Sequence, residues 1–238
     1  MSDRLTAYTS PRFKINVSIK IGIVEDDRIT SDLLAAVCAR EFGATIVVQE
    51  TYGSRGLAEL FKHEPDLAIL DICLPDVDGL EIAKTILAKL PMCRVLVMSA
   101  LRDPVTLMRI RELGVHGFVD KREQSVAMLK TAIQSVLHGK GFFASVMLTV
   151  LTELRRDPQA FHLVLSQHEQ RILTLIGNAY TDDEIAEAVG VKPATAQSRR
   201  RDIMNKLGIH STPKLIQYAN EMGFARLGKY LPERTVRG

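Results

Sequence analysis

The thirteen residues from Leu67 to Gly79, LAILDICLPDVDG, hold the chemistry on which the rest of the chain converges. Four apolar residues end in Asp71, the pattern of a parallel strand buried on both faces that delivers a carboxylate to its carboxyl end, where open α/β sheets hold functional sites. Three more acids, Glu25, Asp26 and Asp27, follow the apolar run Ile19 to Val24. Ser99 ends the run Arg94 to Ser99, and Lys121 follows the short run Gly117 to Val119. Each has a bland explanation alone: Glu25 to Asp27 can cap a helix, and Lys121 can be a surface lysine. Found together across four strand ends, they specify one rim.

Carboxylates gathered on a rim repel one another unless something positive joins them. A hard divalent cation with oxygen ligands solves this, and Mg²⁺ takes one or two carboxylates, a carbonyl and waters. Asp26 and Asp71 are the expected ligands, with Glu25 beside them. A carboxylate next to Mg²⁺ can attack a phosphoryl donor, because the metal offsets the charge of the incoming group. Asp71 is then the phosphoacceptor. Lys121 supplies a point charge for the phosphoryl group, and Ser99 a hydroxyl that bonds to it only after transfer.

The elements that must bring these residues together alternate strand and helix. Ile19 to Val24, Ala44 to Gln49, Leu67 to Asp71, Arg94 to Ser99 and Gly117 to Val119 read as strands. Helical periodicity follows each: from Ile29 to Cys38, Gly53 to Lys62, Gly79 to Lys89, Asp103-capped to Leu113, and Gln124 to His138. This order predicts an α/β fold, a five-stranded, doubly wound parallel sheet of flavodoxin-like type with helices on both faces. All carboxyl ends share one edge, so the rim residues meet.

Residues 18–140 resemble the receiver domain of two-component response regulators. The resemblance rests on Glu25-Asp26, the D-x-x-L-P-D-x-D-G run from Asp71, Ser99 and Lys121, all in order. It implies that Cys73 lends its backbone carbonyl to Mg²⁺, that Phe118 stands at the switch aromatic position, and that a sensor histidine kinase is the phosphoryl donor. The Cys73 side chain itself reads as a small buried hydrophobe rather than a nucleophile.

Composition is consistent with this and excludes several classes. At 238 residues and 46% hydrophobic content the chain can build real cores. Its three cysteines form no C-x-x-C pair, so neither a disulfide framework nor a zinc site is expected. Residues 1–17 lack the apolar centre of a signal peptide and read as a mobile leader, and no long apolar run appears. The expectation is a cytoplasmic protein with no membrane association. Residues 18–140 carry 15 Lys and Arg against 17 Asp and Glu, whereas residues 162–238 carry 11 against 8, so the second half is the more basic.

Residues 141–163 read as a linker with a helix, and residues 164–228 are helical throughout. Ser166 with Glu169, and Thr181 with Glu184, are capping boxes, and Gly190 closes the short helix Asp182 to Val189. Pro193 opens a basic helix to Lys206, giving a helix-turn-helix outline in a small all-α domain. With Ala196, Ile203 and Leu207 inward, the outward face shows Ala194, Ser198, Arg201 and Asn205, flanked by Gln197 and Asp202. Arg reads guanine and Gln or Asn reads adenine in a major groove, while Arg199, Arg200 and Lys206 reach phosphates.

The stretch from Leu165 to about Leu227 resembles LuxR/FixJ-type DNA-binding domains, through L-S-x-x-E, T-D-D-E-I-A-E-A-V-G-V and T-A-Q-S-R-R-R-D-I-M-N-K-L-G. By that resemblance Thr195, Gln197, Ser198 and Arg201 stand on the DNA face, and Ser211 to Met222 is a dimerising helix. Residues 229–238 form a tail. The expected function is a phosphorylation-controlled, DNA-binding transcriptional regulator, not an enzyme beyond its own phosphorylation and dephosphorylation, acting as a homodimer on double-stranded DNA. The alternative is a receiver whose helical half binds a protein partner, motivated by Asp202 and by the apolar linker.

Overall fold

The computed structural model describes residues 18–123 and 125–227. The leader and the tail lie outside the described residues. The first half runs β1 (Lys20–Val24), α1 (Arg28–Phe42), β2 (Thr45–Glu50), α2 (Gly53–His63), β3 (Leu67–Asp71), α3 (Gly79–Lys89), β4 (Arg94–Ser99), α4 (Pro104–Leu113), β5 (Gly117–Asp120) and α5 (Val126–Leu137). Then come β6 (Phe142–Phe143), α6 (Ser145–Arg156) and α7 (Phe161–Val164). The helical half holds α8 (Gln167–Gly177), α9 (Asp182–Val189), α10 (Pro193–Lys206), α11 (Thr212–Met222) and α12 (Phe224–Leu227).

The sheet is wholly parallel in the order β2-β1-β3-β4-β5-β6. Six strands stand where five were expected. The sixth, Phe142–Phe143, lies in what reads from sequence as linker; a two-residue strand is too short to show a period. Two apolar clusters sandwich the sheet. Leu34 and Cys38 of α1 pack with Leu129, Ile133 and Val136 of α5 on one face, and Leu60, Ile82, Ile86, Leu107 and Ile110 of α2 to α4 on the other. Every residue of β3 is buried, which explains why its sequence does not alternate.

The strand order reverses beside β1, so β1 and β3 are neighbours and their carboxyl ends open onto one crevice. Register pairs Val24 with Leu70, Asp71 with Met98, and Ser99 with Asp120. Gly79 lets α3 start against the end of β3: a Cβ there would lie 1.9 Å from the Asp71 carbonyl oxygen.

The linker helix α6 buries Met147, Leu151 and Leu154 and packs on α4, so its apolar stripe covers that face of the α/β half rather than hanging free. One apolar cluster continues from α2–α4 through α6 into α8–α11. Phe161 of α7 meets Phe224 of α12 edge to face at 5.0 Å. Gly223, at φ +97°, brings the α11–α12 turn against the Asp103 carboxylate, which Arg226 also contacts at 3.3 Å.

Candidate functional site

Of the three consecutive acids after β1, each has a different task. Asp27 is the N-cap of α1, its Oδ1 accepting from the Thr30 N–H at 2.7 Å. Glu25 turns inward and is 1% exposed, while Asp26 stays at the surface. Asp71 arrives from β3 at 5% exposure, and its Oδ1 accepts from the Cys73 N–H at 3.2 Å. Glu25, Asp26 and Asp71 each offer an oxygen, all within 4.8 Å of one another.

Lys121 enters this hollow from the end of β5. Its Nζ lies 2.7 and 2.6 Å from the two Glu25 oxygens and 3.0 Å from Asp71 Oδ2. With all four groups ionised, three carboxylates and one ammonium leave a net charge of −2, which a divalent cation would neutralise. The Glu25 Oε2 contact is close but not aligned as a hydrogen bond, so this buried oxygen retains acceptor capacity. Burial raises the Glu25 carboxyl above its ordinary pKa, and Asp71 adds to that, against the opposing pull of Lys121. For Lys121, burial pulls its pKa down, but Asp71 and Glu25 outweigh it and hold the ammonium above its ordinary value. These are donors of the hard, anionic kind that a small divalent cation takes.

The remaining rim residues are placed less completely. Ser99 is fully buried, its Oγ accepting from the Leu101 N–H at 3.1 Å, while its carbonyl accepts from the Lys121 N–H at 2.9 Å. The hydroxyl thus serves its own loop. Phe118 is fully buried within the larger cluster. Cys73 is exposed, which corrects the expectation of a buried hydrophobe: its backbone bridges to Asp78 in the loop after β3, so it sits at the surface beyond the strand. Burial pushes the other two thiols, Cys38 and Cys93, up to about 12.

In the helical half, Ser166 and Thr181 form both expected capping boxes. On α10, Ala196 and Ile203 are fully buried and Leu207 nearly so. Ala194, Thr195, Gln197, Ser198, Arg201, Asp202 and Asn205 are exposed, forming a polar face along the helix. Three basic residues are held differently from a free fringe. Arg200 Nε contacts Asp182 at 2.8 Å and its Nη2 donates to the Tyr180 carbonyl at 3.2 Å. Lys206 contacts both Glu169 oxygens at 2.8 Å. Arg199 is half-buried, with Nη1 shielded. Arg200 and Lys206 therefore tie α10 to α9 and α8.

Comparison with known proteins fits both halves. Residues 21–134 match the response regulator receiver domain, and residues 163–219 match the bacterial regulatory proteins of the luxR family. The Fimbriae Z protein of Salmonella typhimurium is 33% identical over 175 residues, spanning 73% of this chain and 83% of that one. This chain belongs to the luxR-type response regulators. A Pseudomonas aeruginosa relative named for transcriptional regulation is 32% identical over 198 residues, 83% of this regulator and 95% of the relative. The structure of RcsB from Salmonella enterica serovar Typhimurium bound to promoter rprA, with the phosphomimetic BeF₃⁻, shares the fold at a TM-score of 0.59. Its identity is 21%, over 86% of this regulator and 99% of RcsB. Among the described residues no helix is long and apolar enough to cross a membrane.

Sequence reasoning missed the Arg102–Asp120 and Arg109–Asp78 pairs, at 2.6 and 2.7 Å. Asp120 carried a usable signal: an acid ending a buried strand needs a partner. Nothing local names Arg102 as that partner.

Proposed function

We propose that this response regulator accepts a phosphoryl group on Asp71 from a histidine kinase in the cytoplasm and, so modified, binds double-stranded DNA as a homodimer through the exposed face of α10. The observation that carries the reading is the hollow in which Glu25, Asp26 and Asp71 lie within 4.8 Å while Lys121 stands 3.0 Å from Asp71. An Asp71 oxygen attacks the phosphorus of a phosphohistidine; the O–P bond forms, the P–N bond breaks, and the departing imidazole nitrogen keeps the electron pair and takes a proton. Lys121 is held in place before the donor arrives, so its ammonium meets the new charge without searching.

Glu25, Asp26 and Asp71, with the Cys73 carbonyl, would hold Mg²⁺, which when bound offsets negative charge on the phosphoryl oxygens. Ser99 donates a hydrogen bond from its hydroxyl to a phosphoryl oxygen once the modification is made, and the buried Phe118 on the neighbouring strand moves with the Ser99 loop. Because Ser99 is hydrogen-bonded to Leu101, and Asp103 four residues on contacts Arg226, the change reaches the helical half through a short path. On α10, Thr195, Gln197, Ser198, Arg201 and Asn205 meet base edges and phosphates, with Arg199 at the phosphate margin. Arg200 and Lys206 support that face through their ion pairs.

The test is duplex binding by anisotropy at a series of salt concentrations, with and without beryllofluoride. The reading expects affinity that falls linearly on a log–log plot and rises when beryllofluoride is added. Absence of binding to any duplex at low salt would refute it.

A further inference from the structure

We propose that the Arg102–Asp120 ion pair is a positioning device that fixes the backbone of Lys121 and ties it to the Ser99 loop, and so governs how fast Asp71 takes up a phosphoryl group. The inference rests on Asp71 being the phosphoacceptor. Asp120 is fully buried at the end of β5, one residue before Lys121. Its Oδ1 accepts from the Arg122 N–H at 2.9 Å, so one carboxylate is anchored on both sides of Lys121 and closes the turn that presents it. The other oxygen, Oδ2, lies 2.6 Å from Arg102 Nη2.

Arg102 belongs to the loop that follows β4, three residues after Ser99. Ser99 and Asp120 are register partners across β4 and β5, and the Ser99 carbonyl accepts from the Lys121 N–H at 2.9 Å. The two loops are therefore joined twice, by that backbone bond and by the ion pair beyond it. Arg102 adds a third tie at 2.8 Å to Glu123, past Lys121. A buried carboxylate without its cation is strongly unfavourable. Removing Arg102 thus drives the turn around Lys121 to rearrange, and the Lys121 Nζ loses its placement 3.0 Å from Asp71.

Nothing in the hollow itself requires Asp120. Glu25, Asp26 and Asp71 reach it from β1 and β3, so loss of the pair leaves the metal's carboxylate ligands in place. A structural role alone would lower stability and every other property with it, whereas a positioning role lowers the rate of transfer out of step with stability and without weakening Mg²⁺ binding.

The experiment uses the full chain, with acetyl phosphate as donor: an Asp71 oxygen bonds to phosphorus and acetate leaves with the electron pair. Labelling rates, Mg²⁺ midpoints from thermal shift, and melting temperatures are measured for Arg102→Gln, Arg102→Lys and the double variant Arg102→Leu with Asp120→Leu. Misplacement of a reacting group by about 1 Å costs up to on the order of 100-fold, and the expected loss for Arg102→Gln is about tenfold in rate with no weakening of Mg²⁺ binding. Arg102→Lys recovers part of the rate. The double variant, with an apolar pair in place of the buried carboxylate and its partly exposed cation, recovers melting temperature but not rate. The proposal is overturned if Arg102→Gln labels as the wild type does, or if rate simply tracks melting temperature across the three variants. A wild type that takes no label would remove the phosphoacceptor reading itself, and this inference with it.

Discussion

Replacing Lys121 with methionine removes the charge that holds Glu25 and Asp71 side by side while keeping much of the stem's apolar volume. The oxygens of the hollow lie within 4.8 Å of one another, so at an effective dielectric of about 20 the repulsion left between two carboxylates is about 3 kcal/mol. Glu25 and Asp71 are almost fully buried, so water screens little of it. At roughly 2–4 °C per kcal/mol for a chain of this size, the apparent melting temperature in chelator falls by about 6–12 °C. Excess Mg²⁺ restores most of the loss in the variant and shifts the wild type less, because the cation then supplies the compensation that the ammonium gave. Far-UV circular dichroism melts of both chains, in chelator and in Mg²⁺, make the comparison. A variant that melts with the wild type in chelator, or that ignores Mg²⁺, would refute the electrostatic account of the hollow.

Three further outcomes follow from the geometry. Gly79→Ala places a Cβ 1.9 Å from the Asp71 carbonyl oxygen, so it should cost about 1–3 kcal/mol in a denaturant melt and slow labelling of Asp71, since the backbone at the site must shift. The His116 Nδ1 accepts the Val95 N–H at 3.0 Å, and burial, then Arg94, lowers its pKa. A depressed histidine contributes stability that is full above its unfolded pKa of about 6.5 and fades as pH falls through the folded value. Melts taken downward from neutral pH should therefore fall faster for the wild type than for His116→Asn. On α10, Arg201→Ala should weaken duplex binding and reduce the salt slope by about 1. Arg200→Ala should instead lower the stability of the helical half by about 1–2 kcal/mol, because Arg200 bonds to Asp182 and Tyr180; equal salt slopes in both variants would contradict that division.

What could be read from the chain was local or periodic. A strand buried on both faces is apolar without alternation, so β3 and its terminal Asp71 stand out, and the strand ends predict which residues share a rim. Capping boxes span four residues, so Ser166–Glu169 and Thr181–Glu184 mark helix starts without tertiary information. The inward face of α10 followed from helical geometry alone. What could not be read was long in sequence or short in extent. Arg102 and Asp120 are separated by a helix and a strand, and Lys206 meets Glu169 across 37 positions. These pairs consume charges that composition counts as free. The two residues of β6 and the four of α12 are too few to show a period. Cys73 lies just past an apolar run, where burial looks certain until the Cys73–Asp78 bridge turns the chain outward.

The most direct test of phosphoryl acceptance is intact-mass and peptide mapping of the full chain after acetyl phosphate and Mg²⁺. The account predicts a single alkali- and hydroxylamine-labile phosphoryl group on the peptide holding Asp71, not formed in chelator and absent in Asp71→Asn. Labelling that persists in Asp71→Asn at the wild-type rate would contradict it.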